Sequence, residues 1–212
     1  MCWLYRNKIA GLLRGLANGN AAERRFAVTV LVAFLPAAIV GALLIDVIKS
    51  LFFNPSVVVV TLIVGGLIIL AVEARQRPPT THGIMEVGWR QALGIGMAQC
   101  VAMIPGTSRS GATIIGGMLS GLSRQAATEF SFFLAIPTML GAATYDLFRH
   151  YDLLSQNDIS AIIVGFVGAF VSALLVVSTL VRFVARYSLR IFAWYRIALG
   201  TVLAAWIPLV EA

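Results

Sequence analysis

The sequence predicts an all-α integral membrane protein of about five transmembrane helices plus one re-entrant helical hairpin. Three observations predict it. Of the 212 residues, 59% are apolar and only 12% charged, whereas a soluble domain carries roughly a quarter charged residues to cover its surface; mean hydropathy is +0.91. Five long stretches are almost free of charge and are each close to the 20 or so residues that cross about 30 Å of hydrocarbon. The loops between them alternate in charge, as short loops on the two sides of a membrane do. The net charge of +7 therefore meets anionic lipid headgroups rather than nucleic acid. Cys2 and Cys100 lie far apart, so neither a disulfide framework nor a thiolate metal site is expected.

The chain reads as a single membrane domain over residues 1–212, opened by a basic cytoplasmic segment over residues 1–25. Arg6, Lys8, Arg14, Arg24 and Arg25 stand there against Glu23, and the segment lacks the apolar core and cleavage site of a signal peptide. The first span covers residues 26–45, and a balanced loop with Asp46 and Lys49 follows. The second, residues 57–72, is short, with Leu51, Phe52 and Phe53 extending its apolar reach. Arg75, Arg77 and Arg90 make the next loop basic.

Residues 91–122 differ from the other stretches. Two apolar segments of about a dozen residues each are split by PGTSRSGAT at Pro105 to Thr113, and segments that short are more often re-entrant or buried than spanning. A stem over residues 91–104 rises about 21 Å, so the polar break would lie deep in the membrane, where irregular backbone survives only if buried or lining a watery cavity. Arg124 closes the hairpin on the basic side. The spans at 125–145 and 159–181 then flank an acidic loop with Asp146, Asp152 and Asp158 against Arg149. Arg182, Arg186 and Arg190 precede the last span, 191–210. This alternation puts the N-terminus inside and the C-terminus outside.

The break holds the chemistry. An arginine deep in a bilayer costs about 2.5 to 3.5 kcal/mol even on the lenient scale, and such residues usually face a cavity or a partner. Arg109 is thus a functional candidate. Thr107, Ser108, Ser110 and Thr113 add hydroxyls, while Gly106 and Gly111 allow a tight turn with exposed amides. A helix from Gly111 would offer its N-terminus as an anion site. A guanidinium fork, hydroxyls and free amides suit one ligand type, a phosphate or diphosphate. The competing reading is a break that merely lets two short helices pack, with Arg109 snorkelling to water. Gln99 and Glu129 are candidates to line the site, although Gln99 reads more readily as a helix bridge and Glu129 as an interfacial carboxylate paired with a neighbouring arginine. Gly117 and Gly121 form a small-xxx-small packing face. Arg196, five residues into the last span, is expected to snorkel. No metal-ligand spacing and no nucleophile–base set can be assembled from these residues.

PGTSRSGAT, followed by GLSRQAATEFSFFLAIPTMLGA at residues 121–142 and preceded by GMAQCVAMIPG and IKSLFFNPSVVV, resembles the undecaprenyl-diphosphate phosphatases of the bacitracin-resistance type. The resemblance covers nearly the whole chain. It implies hydrolysis of a polyprenyl diphosphate to the monophosphate carrier of cell-wall (peptidoglycan) synthesis in the bacterial inner membrane, and bacitracin resistance. It also implies an inverted repeat with two hairpins meeting at one site, of which this chain would hold one and a half halves. By the resemblance, Arg109 binds diphosphate, Ser108 and Ser110 flank it, and Thr113 is a nearby hydroxyl. The family's first signature, a glutamate-rich helix leading into a Pro-Val-Ser-Ser-Thr-Gly-His turn, has no counterpart in residues 1–20. The carboxylates for a divalent metal (Mg or Ca), with the histidine and serine of phosphoryl transfer, are expected in that signature. A truncated chain and one that binds without hydrolysing are both expectations of that mismatch. A polyprenyl-phosphate carrier or transporter is the rival function, since hairpins with anion-binding tips suit translocation too. A homodimer is one assembly open to such a chain.

Overall fold

A computed structural model describes residues 3, 5–75, 78–150, 158–186 and 188–211. Cys2, Arg77 and Asp152 lie outside the described residues, as do the side chains of Asp158, Arg182 and Arg186. The described residues form eight α-helices: α1 (Arg6–Ala17), α2 (Ala21–Phe52), α3 (Pro55–Ala74), α4 (Trp89–Val101), α5 (Arg109–Leu119), α6 (Arg124–His150), α7 (Asp158–Arg186) and α8 (Arg190–Glu211). Five of them, α2, α3, α6, α7 and α8, are long and apolar enough to cross a membrane, the five stretches that the sequence singles out.

Local chemistry starts these helices where they start. Asn20 caps α2, its Oδ1 accepting from the Ala22 amide at 3.0 Å. Asn54 caps α3 through the Val57 amide at 2.9 Å, with Pro55 supplying a first-turn residue that has no amide to satisfy. On α2 the residues Val28, Leu31, Leu35, Ile39 and Leu43 are exposed at helical spacing. An apolar stripe turned outward is the reverse of a soluble helix and fits contact with lipid tails. The opposite face of α2 buries Phe26, Ala33 and Ala37, and Phe26 meets Phe130 and Phe133 of α6 edge-on at 6.3 and 5.3 Å.

The core surrounds α4 and α5. They pack antiparallel between α2 and α6, close enough that a Cβ on Gly116 would lie 2.5 Å from Ala98 Cβ, and one on Gly117 2.8 Å from Ala127 Cβ. Both ends of the pair return to the same end of the molecule. There the Gln91 amide nitrogen donates to Ser120 O at 3.0 Å, the Thr80 amide to Gly121 O at 2.8 Å and the Ser123 amide to Thr81 O at 2.8 Å. α3 and α8 form the other tight pair, while α7 packs chiefly against α6 and buries nothing over residues 160–177.

Candidate functional site

The break between α4 and α5, residues 102–108, both begins and ends earlier in the chain than the sequence suggests. α4 ends at Val101 rather than continuing to Ile104, and successive turn hydrogen bonds from the Ala102, Met103 and Ile104 amides carry the chain on. Gly106 then has φ +81°, a conformation in which a side chain is strained. α5 begins at Arg109, two residues before Gly111, because Ser108 is its N-cap: Ser108 Oγ accepts from the Gly111 amide at 3.1 Å. Gly111 is therefore a first-turn helical residue, not a second turning point.

The capping arrangement sets the electrostatics. The amides of Arg109 and Ser110 are the first two of α5 and have no intrahelical acceptor, so they and the helix dipole present positive charge at this end. Ser108 and Ser110 place their hydroxyls 3.3 Å apart, and Ser108 is exposed. Beside them Arg109 is half-buried, and its Nη1 is shielded from solvent with no acceptor among the described residues. A buried guanidinium N–H without an acceptor is costly unless something outside the chain accepts from it.

Of the residues that the sequence nominates, Arg109, Ser108, Ser110, Thr107, Gly106 and Gly111 come together at this break. The other three do not join them in the same way. Thr113 is fully buried; its hydroxyl reaches the Arg109 carbonyl at 2.9 Å and Ser131 Oγ on α6 at 2.6 Å, so it fastens the first turn of α5 to α6. Gln99, 2% exposed, faces α6, where Thr138 Oγ1 lies 3.5 Å from its carbonyl oxygen, and its amide nitrogen has no acceptor among the described residues. Glu129 pairs with Lys8 of α1, not with Arg124. Five residues along a helix turn the side chain onto a different face, and Arg124 pairs instead with Glu73 of α3.

Arg196 corrects the sequence reading most sharply. It does not snorkel. It is 8% exposed, and its Nη2 donates to the carbonyls of Thr61 at 2.9 Å and Gly106 at 3.0 Å. Thr61, twelve residues along α3 from Glu73, is about 18 Å from that end of the helix, which places the break well inside the length of α3. Thr61 Oγ1 donates to Pro105 O at 2.7 Å. Sequence reasoning missed Thr61 and Glu73; a hydroxyl inside an apolar run was the available signal for Thr61, and a lone acid at the end of that run, before a basic loop, was the signal for Glu73.

Among the described residues no group of three or more His, Cys, Asp or Glu comes together. The groups at the break are a guanidinium, hydroxyls and amides, a donor set for an anion and not a ligand set for a divalent cation.

Comparison with known proteins agrees with this chemistry. Residues 1–202 match the family model described as "Bacitracin resistance protein BacA". Among curated relatives, the undecaprenyl-diphosphatase of Bordetella petrii is 55% identical, over 97% of this chain and 77% of that protein. Undecaprenyl-diphosphatase 2 of Shewanella oneidensis is 59% identical, over 96% and 77%. Undecaprenyl-diphosphatase 3 of Acinetobacter baylyi is 58% identical, over 96% and 76%.

Proposed function

The chain belongs to the bacitracin resistance protein BacA family, and from that premise we propose that it is an undecaprenyl-diphosphatase. Water cleaves the phosphoric anhydride of undecaprenyl diphosphate, leaving undecaprenyl phosphate and inorganic phosphate. The observation that carries this reading in the structure is the buried Nη1 of Arg109 at the N-terminus of α5, which has no acceptor among the described residues. A diphosphate oxygen would supply the acceptor that the described residues do not.

Phosphoryl transfer is largely a matter of position and of charge neutralised on the transferring group. Arg109 can hold two oxygens of that group in its fork, and the Arg109 and Ser110 amides, with the Ser108 and Ser110 hydroxyls, add donors around it. The divalent metal expected from the family resemblance finds no ligand set among the described residues.

The charges at the two ends of the molecule support an orientation. Glu73, Arg124 and Ser188 meet at one end, which also carries Arg75, Arg90 and Arg190. Arg149 approaches Asp46 within 3.7 Å at the other. The basic end is read as cytoplasmic, in the bacterial inner membrane, with the N-terminus inside and the C-terminus outside. Reporter fusions after Asn20 and after Ala212 should report opposite sides; the same side for both overturns the topology. For a homodimer, α7 offers an apolar surface that no other described helix covers over residues 160–177, and cysteine cross-linking at Ile162 and Phe166, both exposed, tests pairing there.

Purified protein in detergent, with no membrane gradient, should release phosphate from undecaprenyl diphosphate. Transport of the lipid across vesicles without phosphate release would establish the carrier function instead.

A further inference from the structure

The two carbonyls at the corner of the break are each held from outside the hairpin. Thr61 of α3 donates to Pro105 O, and Arg196 of α8 donates to Gly106 O while also holding the Thr61 carbonyl. Three chain segments thus meet on one buried guanidinium. Packing alone does not call for such a residue, because an apolar side chain of similar volume fills a buried site without the desolvation of a charge. The electrostatics do call for it. A carbonyl oxygen turned toward a phosphate repels it, and the residues around Gly106 have no regular secondary structure to fix which way their carbonyls point.

We propose that Arg196 is a positioning residue for the diphosphate site. With Thr61 it holds the Pro105 and Gly106 carbonyls against α3 and α8, so that the adjoining turn offers the ligand donors only: the Arg109 guanidinium, the hydroxyls of Ser108 and Ser110, and the first amides of α5. This role rests on the diphosphatase reading above and adds to it a residue 87 positions away from Arg109 in the sequence. Arg196 touches backbone, not substrate, and acts through the shape of the break.

Gly65 gives a way to move Arg196 without removing its charge. A Cβ at Gly65 would overlap Arg196 Nη2 and lie 3.0 Å from its Cζ; the flexible side chain is what yields, so Gly65→Ala lifts the guanidinium off the Gly106 carbonyl.

The test uses the full chain in detergent and reads two quantities: phosphate release across a range of undecaprenyl diphosphate concentrations, and hydrogen exchange of the amides in residues 104–111. Arg196→Met should lower kcat on the order of 100-fold, the scale of a misplaced reacting group, and speed exchange across the break. Arg196→Lys, which keeps a donor, should recover about a tenth of wild-type kcat. Gly65→Ala and Thr61→Val should shift both readouts the same way by less, and they carry the test if Arg196→Met does not fold. A folded Arg196→Met protein with wild-type exchange or wild-type kcat overturns the proposal. So does activity that falls only as far as the folded fraction falls, with no rescue by lysine. Wild-type protein that releases no phosphate, with exchange still faster in Arg196→Met, overturns the diphosphatase reading while leaving the hold on the break intact.

Discussion

Glu73 of α3 and Arg124 of α6 meet in a two-point ion pair, with Arg124 Nε 3.1 Å from one carboxylate oxygen and Nη2 3.0 Å from the other. The same carboxylate accepts from Ser188 Oγ at 2.8 Å and from the Leu189 amide at 3.3 Å. Four donors on one buried acid join α3, α6 and the start of α8 at the mouth of the hairpin.

Glu73→Gln should therefore destabilise the fold. Breaking a buried pair from one side leaves the other charge uncompensated, an effect of about 3 to 5 kcal/mol in full burial. Because the Arg124 side chain keeps 24% of its exposure, a loss of about 2 to 3 kcal/mol is the expected scale. Thermal unfolding in detergent reads it, and an unchanged melting temperature would show that the hydroxyl and amide suffice.

Arg109→Lys should abolish most turnover. A lysine supplies a point charge on a flexible stem, whereas the guanidinium can hold two phosphate oxygens at once. If that hold tightens in the transition state, its loss raises the barrier by about 2 to 4 kcal/mol and appears in kcat. Ser110→Ala should cost less, since neighbouring donors remain. Near-normal kcat in folded, inserted Arg109→Lys would move the site elsewhere.

Gly106→Ala should deform the break. Its φ of +81° is unfavourable for any residue with a Cβ, by about 1 to 2 kcal/mol. The new Cβ would also overlap Thr61 Oγ1 and lie 2.9 Å from the Val58 carbonyl. Phosphate release should fall more than the melting temperature does, because the strain falls on the turn that bears the donors. Wild-type turnover would show that the turn tolerates a second conformation.

Tyr5 provides a pH-dependent contact outside the spans. Burial, reinforced by the negative charge of Glu129, pushes its phenol up to about 12 from the ordinary 10. The folded state therefore keeps a proton that the unfolded state gives up first. The stability linked to Tyr5 is fully present below pH 10 and is lost as pH rises toward 12. An alkaline absorbance titration of wild type against Tyr5→Phe should show that the phenol lost in the variant ionises well above pH 10. Ionisation near 10 would mean that α1 does not rest on α6 in solution.

The spans were legible because crossing hydrocarbon demands about twenty apolar residues whatever the partners are. Arg109 was legible for the complementary reason, a charge where charge is expensive. Arg196 satisfied the same criterion, yet five residues from the start of a span it looked like a side chain able to reach water. Its real acceptors are carbonyls of residues 90 and 135 positions away, and no local pattern encodes such a distance. Glu73 near the end of α3 was hidden in the same way, since its donors lie 51 and 115 positions on. The start of α5 was misjudged for a smaller reason: Gly111 drew the eye as a turn former, while Ser108, a strong N-cap, had already begun the helix.

The hold of Arg196 on Gly106 also has a consequence for the order in which the protein is made. A ribosome delivers the hairpin first, then α6 and α7, and only afterwards α8 with its guanidinium. Throughout that interval the Gly106 carbonyl awaits its donor, and α3 lacks the partner against which it packs most closely. The proposed diphosphate site is thus completed by the last of the described helices to enter the membrane, so a nascent chain stalled before α8 would carry every residue of the PGTSRSGAT turn without the outside hold on its corner.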